Sequence, residues 1–229
     1  MLIRLANLTI AVQNRYAYIE ELCKDYMTEK DVPDFSVSVS DAEILSEEGG
    51  EIAPGYGESL AVYRKIAEEI LGYDGFLMHG AVIETDGVGT AFLARSGVGK
   101  STHLALWQNL LGEKLTVING DKPLVRFKDN VPFIYGTPWA GKERLQTNKG
   151  VPLKNICFLS RSAENEVVPL RKEDALLSLL PQIYMPKGSK NMEILLGLLS
   201  RLIDSCDFYA IRCNMHPDAA LVAYRTLFG

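Results

Sequence analysis

Hydrophobic spacing divides the chain into short segments. Residues 2–12 and 34–41 read as strands; in the second, Phe35, Val37 and Val39 alternate with serines, the period of a half-buried strand. Between them Tyr16, Ile19, Leu22, Cys23 and Tyr26 recur at helical spacing and predict a helix over 16–27. Residues 47–56, acidic and glycine-containing, read as an exposed loop. Leu60, Val62, Ile66, Ile70 and Leu71 then point one way and Arg64, Lys65, Glu68 and Glu69 another, as in an amphipathic helix.

The middle of the chain is more apolar. Residues 76–84 and 90–95 predict two strands separated by the turn dipeptide Asp86-Gly87. A glycine-rich loop follows, then a helix over 100–111 with Leu104, Trp107 and Leu111 on one face. Short strands are expected at 115–118, 132–135, 155–159 and 208–213. Residues 191–206 are leucine-rich at helical spacing and read as core, and Pro217 opens a last helix. The pattern is that of an α/β fold with a mixed β-sheet and flanking helices.

Composition narrows the class. With 229 residues, 47% hydrophobic and 23% charged, the chain has the make-up of a globular protein. A net charge of -5 gives no electrostatic reason to expect a nucleic-acid partner. No apolar run approaches a membrane span, and Arg4 and Asn7 interrupt the first apolar stretch, so neither a membrane nor a leader is expected. Cys23, Cys157, Cys206 and Cys213 form no CxxC pair and read as free thiols of a cytoplasmic protein.

The chemistry concentrates in Arg95-Ser96-Gly97-Val98-Gly99-Lys100-Ser101-Thr102. Glycines let consecutive backbone N–H groups curl around phosphate oxygens, and the following helix points its positive end at the anion. Lys100 is placed to reach the β and γ phosphates and the Ser101 hydroxyl to ligate Mg²⁺, with Ser96, Gly97, Val98, Gly99 and Thr102 completing the cradle. Gly-x-Gly-Lys-[Ser/Thr] arises by chance in roughly 1% of chains this long, and less often between a strand and a helix. Ala94 stands where the strict motif has its first glycine. The expected ligand is thus a nucleoside triphosphate with Mg²⁺.

Phosphoryl transfer also needs a carboxylate beside that loop. Asp121, in Asn119-Gly120-Asp121-Lys122-Pro123 after the strand 115–118, is the natural metal ligand. Lys142 and Arg144 could contact phosphate or substrate, though a solvated loop explains them equally. Arg161 reads more readily as a surface residue, His103 as a first-turn helix residue and His216 as a cap before Pro217. His79, in an apolar strand, reads from the residues alone as a satisfied core histidine.

Together these segments resemble the HPr kinase/phosphorylase family, which shares a nucleotide-binding core with ATP-dependent phosphoenolpyruvate carboxykinases. The resemblance rests on Met78-His79-Gly80-Ala81, on the glycine loop, on Asn119-Gly120-Asp121-Lys122-Pro123, and on Gly136-Thr137-Pro138-Trp139-Ala140-Gly141-Lys142-Glu143, similar to the shorter HPr-kinase-like relatives. It covers residues 75 to 165. It implies one HPr-kinase-like domain, with 1–72 an N-terminal α/β appendage and 73–229 the nucleotide-binding core. It also implies an ATP- and Mg²⁺-dependent kinase acting on a serine-type hydroxyl of a protein, peptide or small molecule, with a homo-oligomer among the allowed states. His79 then lies beside the phosphates, and Asp121 is metal ligand or base. Gly120 stands where the family has a second aspartate, which keeps a non-catalytic nucleotide-binding regulatory module as the alternative. A carboxykinase is not expected, since the length leaves little room for a further substrate domain.

Overall fold

In the computed structural model, which describes residues 1–29, 32–47 and 51–229, the apolar stretch 2–12 is two strands. Ala6 and Asn7 both take positive φ (49° and 62°), the backbone of a two-residue hairpin turn. β1 (Leu2–Leu5) and β2 (Leu8–Gln13) pair antiparallel across it. α1 (Ala17–Leu22) is shorter than predicted, its tail being a 3-10 turn at Lys24–Tyr26. β3 (Phe35–Ser38) adds parallel to β2 and completes a three-stranded sheet. α2 (Asp41–Ser46) was not expected; its start is a capping box in which Ser40 and Glu43 each accept from the other's backbone N–H. α3 (Pro54–Glu69) begins ahead of the predicted Leu60, with Pro54 at its first position. Residues 48–50 of the predicted loop lie outside the described residues, and Glu47 is not exposed but buried against Arg64 at 2.7 Å.

The larger sheet begins with β4 (Gly75–Leu77), β5 (Ala81–Thr85) and β6 (Val88–Leu93). The predicted strand 76–84 breaks at residues 78–80, so His79 stands between β4 and β5 rather than within a strand. α4 (Lys100–Leu111) and β7 (Leu115–Asn119) follow as read from the sequence. β8 (Leu124–Lys128), unpredicted, pairs with β9 (Val131–Tyr135) through a third hairpin turn, Asp129 and Asn130 at φ 50° and 64°. β10 (Gly150–Arg161) pairs with β9 over 150–152 and then runs parallel to β6 and to β12 (Asp207–Cys213). β11 (Glu166–Pro169) and α5 (Lys172–Leu179) were also not predicted, whereas α6 (Ser189–Ser205) was. Pro217 caps α7 (Asp218–Phe228) instead of occupying its first position. The nine-stranded sheet is ordered β4-β8-β9-β10-β6-β5-β7, with β12 on β10 and β11 on β12.

Both faces of this mixed sheet are covered, which is why its strands read as continuous apolar runs. Val82, Ala91, Leu93 and Ile156 point to one side, into a cluster with Ala175 of α5 and Leu195, Leu198, Leu199 and Leu202 of α6. Their neighbours Ala81, Ile83, Phe92 and Cys157 point to the other, toward Leu104 and Trp107 of α4 and Ala220 and Ala223 of α7. A third cluster joins the small sheet to α3, and Leu124, Tyr135 and Trp139 of the later chain belong to it. No described helix is long and apolar enough to cross a membrane. All four cysteines are free; burial pushes the Cys23 and Cys206 thiols up to about 12.

Candidate functional site

β6 ends at Leu93 and α4 begins at Lys100, so residues 94–99 form a loop running from a buried strand to a helix N-terminus. Gly97 and Gly99 hold φ of +78° and +125°, where a side chain is strained, and an added Cβ would meet nothing within 4 Å. The glycines are thus required by the backbone, and the space beside them is open. Gly99 is the N-cap of α4 and no side chain caps that helix, leaving its first-turn N–H groups directed at the loop's concavity. Lys100 lies back along the loop, its Nζ donating to the Ala94 carbonyl at 2.9 Å. Burial pushes its ammonium below the ordinary range, against the opposing pull of Asp121.

Arg161, at the end of β10, is exposed, as expected from the sequence, and it also binds the glycine loop. It donates to the carbonyls of Gly97 and, at 3.1 Å, of Val98. His103, one turn into α4, is 2% exposed and accepts at Nε2 from Trp107 Nε1–H at 2.9 Å. Burial pushes its pKa down to about 4, so it is neutral at physiological pH. Its Nδ1 is buried without a partner among the described residues. His216 contributes its backbone, its carbonyl accepting from Ala219 N at 3.0 Å beside α7.

The opposite wall is assembled from distant segments. Asp121 follows β7, and its Oδ1 lies 3.1 Å from His79 Nε2. His79 is fixed by its own backbone N–H, which donates to the Gln182 carbonyl at 2.7 Å. Burial works against ionising Asp121, but the His79 hydrogen bond and the charges of Lys122, His79 and Lys100 outweigh it and hold the carboxyl below its ordinary range. Asn119, fully buried, shapes this turn. Its Oδ1 accepts from the N–H groups of Asp121 and Lys122, both at 2.8 Å, while its Nδ2 donates to the Thr137 carbonyl at 3.0 Å.

The N-terminal part of the chain holds that wall in place. Tyr63 of α3 donates to the Lys122 carbonyl at 2.6 Å and stacks on Trp139 with ring centroids 4.0 Å apart. Trp139 Nε1–H in turn donates to the Ser59 carbonyl at 3.1 Å. Gly120 is closed in by the same segment: an added Cβ would sit 2.8 Å from the Ala140 carbonyl oxygen.

The two walls enclose a polar cleft of about 470 Å³. Of the residues singled out from the sequence, His79, Ser96, Gly97, Gly99, Lys100, Ser101, Thr102, Asp121 and Lys142 line it together. Arg144 does not; it lines a neighbouring pocket, and Val98 lines a third cavity on the other side of the glycine loop. Sequence reasoning missed Glu143, which lines the cleft. A Cβ on Gly141 would lie 3.6 Å from both Asp121 Cγ and Glu143 Oε2, so the two carboxylates flank one point. Among the described residues no cluster of three or more His, Cys, Asp or Glu side chains could hold a metal by itself.

Comparison with known proteins assigns no family. No family profile matches the chain, and no curated protein does. Among solved structures the chain is similar to the Hpr(Ser) kinase/phosphatase from Coxiella burnetii, at 12% identity and a TM-score of 0.30, over 55% of this chain and 88% of that one. A likeness this slight carries no argument about the site.

Proposed function

We propose that this cleft binds ATP with Mg²⁺ and transfers the γ-phosphoryl group to a serine-type hydroxyl of a protein, peptide or small molecule. One observation carries the reading: an uncapped helix N-terminus, an ammonium and a His–carboxylate pair converge on one polar cleft. The residues present fit the ligands. The open space beside Gly97 and Gly99 is room for phosphate oxygens against backbone N–H groups. The hydroxyl of Ser101 and the carboxylate of Asp121 are hard oxygen donors of the kind Mg²⁺ takes, one or two carboxylates beside phosphates and water. A neighbouring cavity of about 430 Å³ shares Gly97, Gly99 and Thr102 with the cleft, and on this reading it takes the nucleoside end.

Mg²⁺, when bound, neutralises charge on the phosphate oxygens. The loop amides and Lys100 hold the β and γ phosphates and stabilise the charge that develops between them. Asp121, oriented by His79, aligns the hydroxyl and takes its proton as the new oxygen–phosphorus bond forms and the bond to the bridging oxygen of ADP breaks. A weakly basic carboxylate is adequate for this, because the transition state of phosphoryl transfer is loose and little proton transfer precedes it.

Gly120 favours a second reading, a module that binds nucleotide without transferring phosphate, because the Ala140 carbonyl leaves no room for a second carboxylate there. The test incubates the protein with Mg²⁺-ATP and a panel of hydroxyl acceptors and follows transfer by mass shift. Asp121→Asn should keep ATP binding and lose transfer. Tight binding without turnover across the panel would replace the kinase with the binding module.

A further inference from the structure

A second pocket, about 580 Å³, opens against the acidic wall on the far side of residues 138–144 from the glycine loop. Asp121, Gly141 and Lys142 line both cavities, so the carboxylate borders each of them. Its volume falls in the range of small-ligand sites, roughly 300–1,000 Å³. One side is apolar and comes from the N-terminal part of the chain: Leu22, Leu60, and the edge-to-face pair Tyr18 and Tyr56, whose ring centroids are 6.0 Å apart. These two tyrosines remain 39% and 37% exposed.

The other side is cationic. Lys122, Lys142 and Arg144 line it, and among the described residues none of the three is held in an ion pair. Glu21, the acidic neighbour of Arg144, is already bound to Lys24 at 2.6 Å. Among the described residues Asp121 is the sole carboxylate in the lining, and it also lines the cleft. A ligand complementary to this pocket carries an apolar group for the tyrosine–leucine side and an anion for the three cations.

We propose that this pocket holds the phosphoryl acceptor, a hydroxyl compound bearing an apolar group and a carboxylate, with its hydroxyl at Asp121. The proposal rests on the kinase reading of the cleft. In the step it describes, the acceptor oxygen bonds to the γ-phosphorus, the bond to the β-phosphate's bridging oxygen breaks, Asp121 takes the hydroxyl proton, and ADP departs. The N-terminal part of the chain thereby selects the acceptor, while residues 94–102 hold the donor.

Three probes test it: N-acetyl-seryl-phenylalanine with a free carboxylate, its C-terminal amide, and 3-phenyllactate as the small-molecule arm. Each is titrated calorimetrically into the full-length protein with Mg²⁺-ADP and without nucleotide, then offered with Mg²⁺-ATP for mass-shift detection. A free-carboxylate probe should bind and react about tenfold better than the amide, the worth of one charge-assisted hydrogen bond. Arg144→Glu should erase that preference, and Tyr56→Ala should weaken both dipeptides by about tenfold. Nucleotide affinity, measured in the same variants, reports whether the phosphate cleft is intact. Reaction with the dipeptide or with phenyllactate supports the proposal and tells a peptide acceptor from a small one. No binding of either carboxylate probe, an amide that performs as well, or a preference that survives Arg144→Glu overturns it. Failure of Mg²⁺-ATP to bind would instead sink the kinase reading, and the nucleotide-free titrations would still decide what the pocket recognises.

Discussion

The two walls of the cleft are built on different principles. The glycine wall is contiguous: residues 94–102 carry their own turn and helix N-terminus, and Arg161 is the one distant side chain bound to the loop carbonyls among the contacts described. The acidic wall is a composite, with His79, Asp121 and Lys142 brought together by Asn119, Thr137, Tyr63 and Trp139. Local backbone geometry secures the first and long-range hydrogen bonding the second. A change in the N-terminal part of the chain can therefore disturb the acidic wall while sparing the glycine loop.

The largest expected effect breaks the composite wall. Trp139→Ala removes a ring that is 5% exposed and stacked on Tyr63, and should cost about 3–5 kcal/mol in denaturant unfolding. A loss below about 1 kcal/mol would mean that the wall stands without it.

The next effect lies behind the glycine wall. Between about pH 4 and 6.5 an unfolded histidine takes up a proton that the folded His103 refuses, since burial and the Trp107 donor require neutral Nε2. Stability should therefore rise by about 3 kcal/mol across that window and be complete above it. His103→Asn should flatten this part of the pH–stability curve, and an unchanged slope would refute the assignment.

The smallest effect compares the walls directly, through one substitution made twice. Gly99→Ala places its Cβ in open space, so only the positive φ opposes it, at about 1–2 kcal/mol. Gly120→Ala meets no left-handed backbone but presses on the Ala140 carbonyl, at about 1–3 kcal/mol. Only the second should shift the fluorescence of Trp139. Equal shifts in both variants would erase the distinction between the walls.

The same difference explains what could be read from the sequence. Glycine at two positions, a lysine opening a helix and an apolar strand before them are properties of neighbouring residues, so the local geometry of the glycine loop was legible. His79, Asp121 and Lys142 were legible as residues, but the partners that hold them were not. Tyr63 and Ser59 sit in a helix whose spacing announces only a buried face, and Asn119 reads in the sequence as no more than the residue that follows the strand 115–118. The long apolar runs concealed their own breaks. Asn7 with Ala6 supplied a turn without glycine, and at residues 78–80 only Gly80 and His79 interrupt the apolar run. α2, α5, β8 and β11 were too short for their periods to stand out. The second pocket escaped because its apolar and cationic sides are more than fifty residues apart at their nearest, from Leu60 to Lys122.

Arg161 gives the glycine loop one more property. A guanidinium that grips two successive carbonyls orients the peptide planes between them and restrains the loop from folding over its own concavity. A loop held in that shape would have little conformational freedom left to lose on binding the anion proposed for it. Capture by such a loop is governed by encounter and electrostatic attraction more than by rearrangement, and selectivity must come from what lies on either side of it.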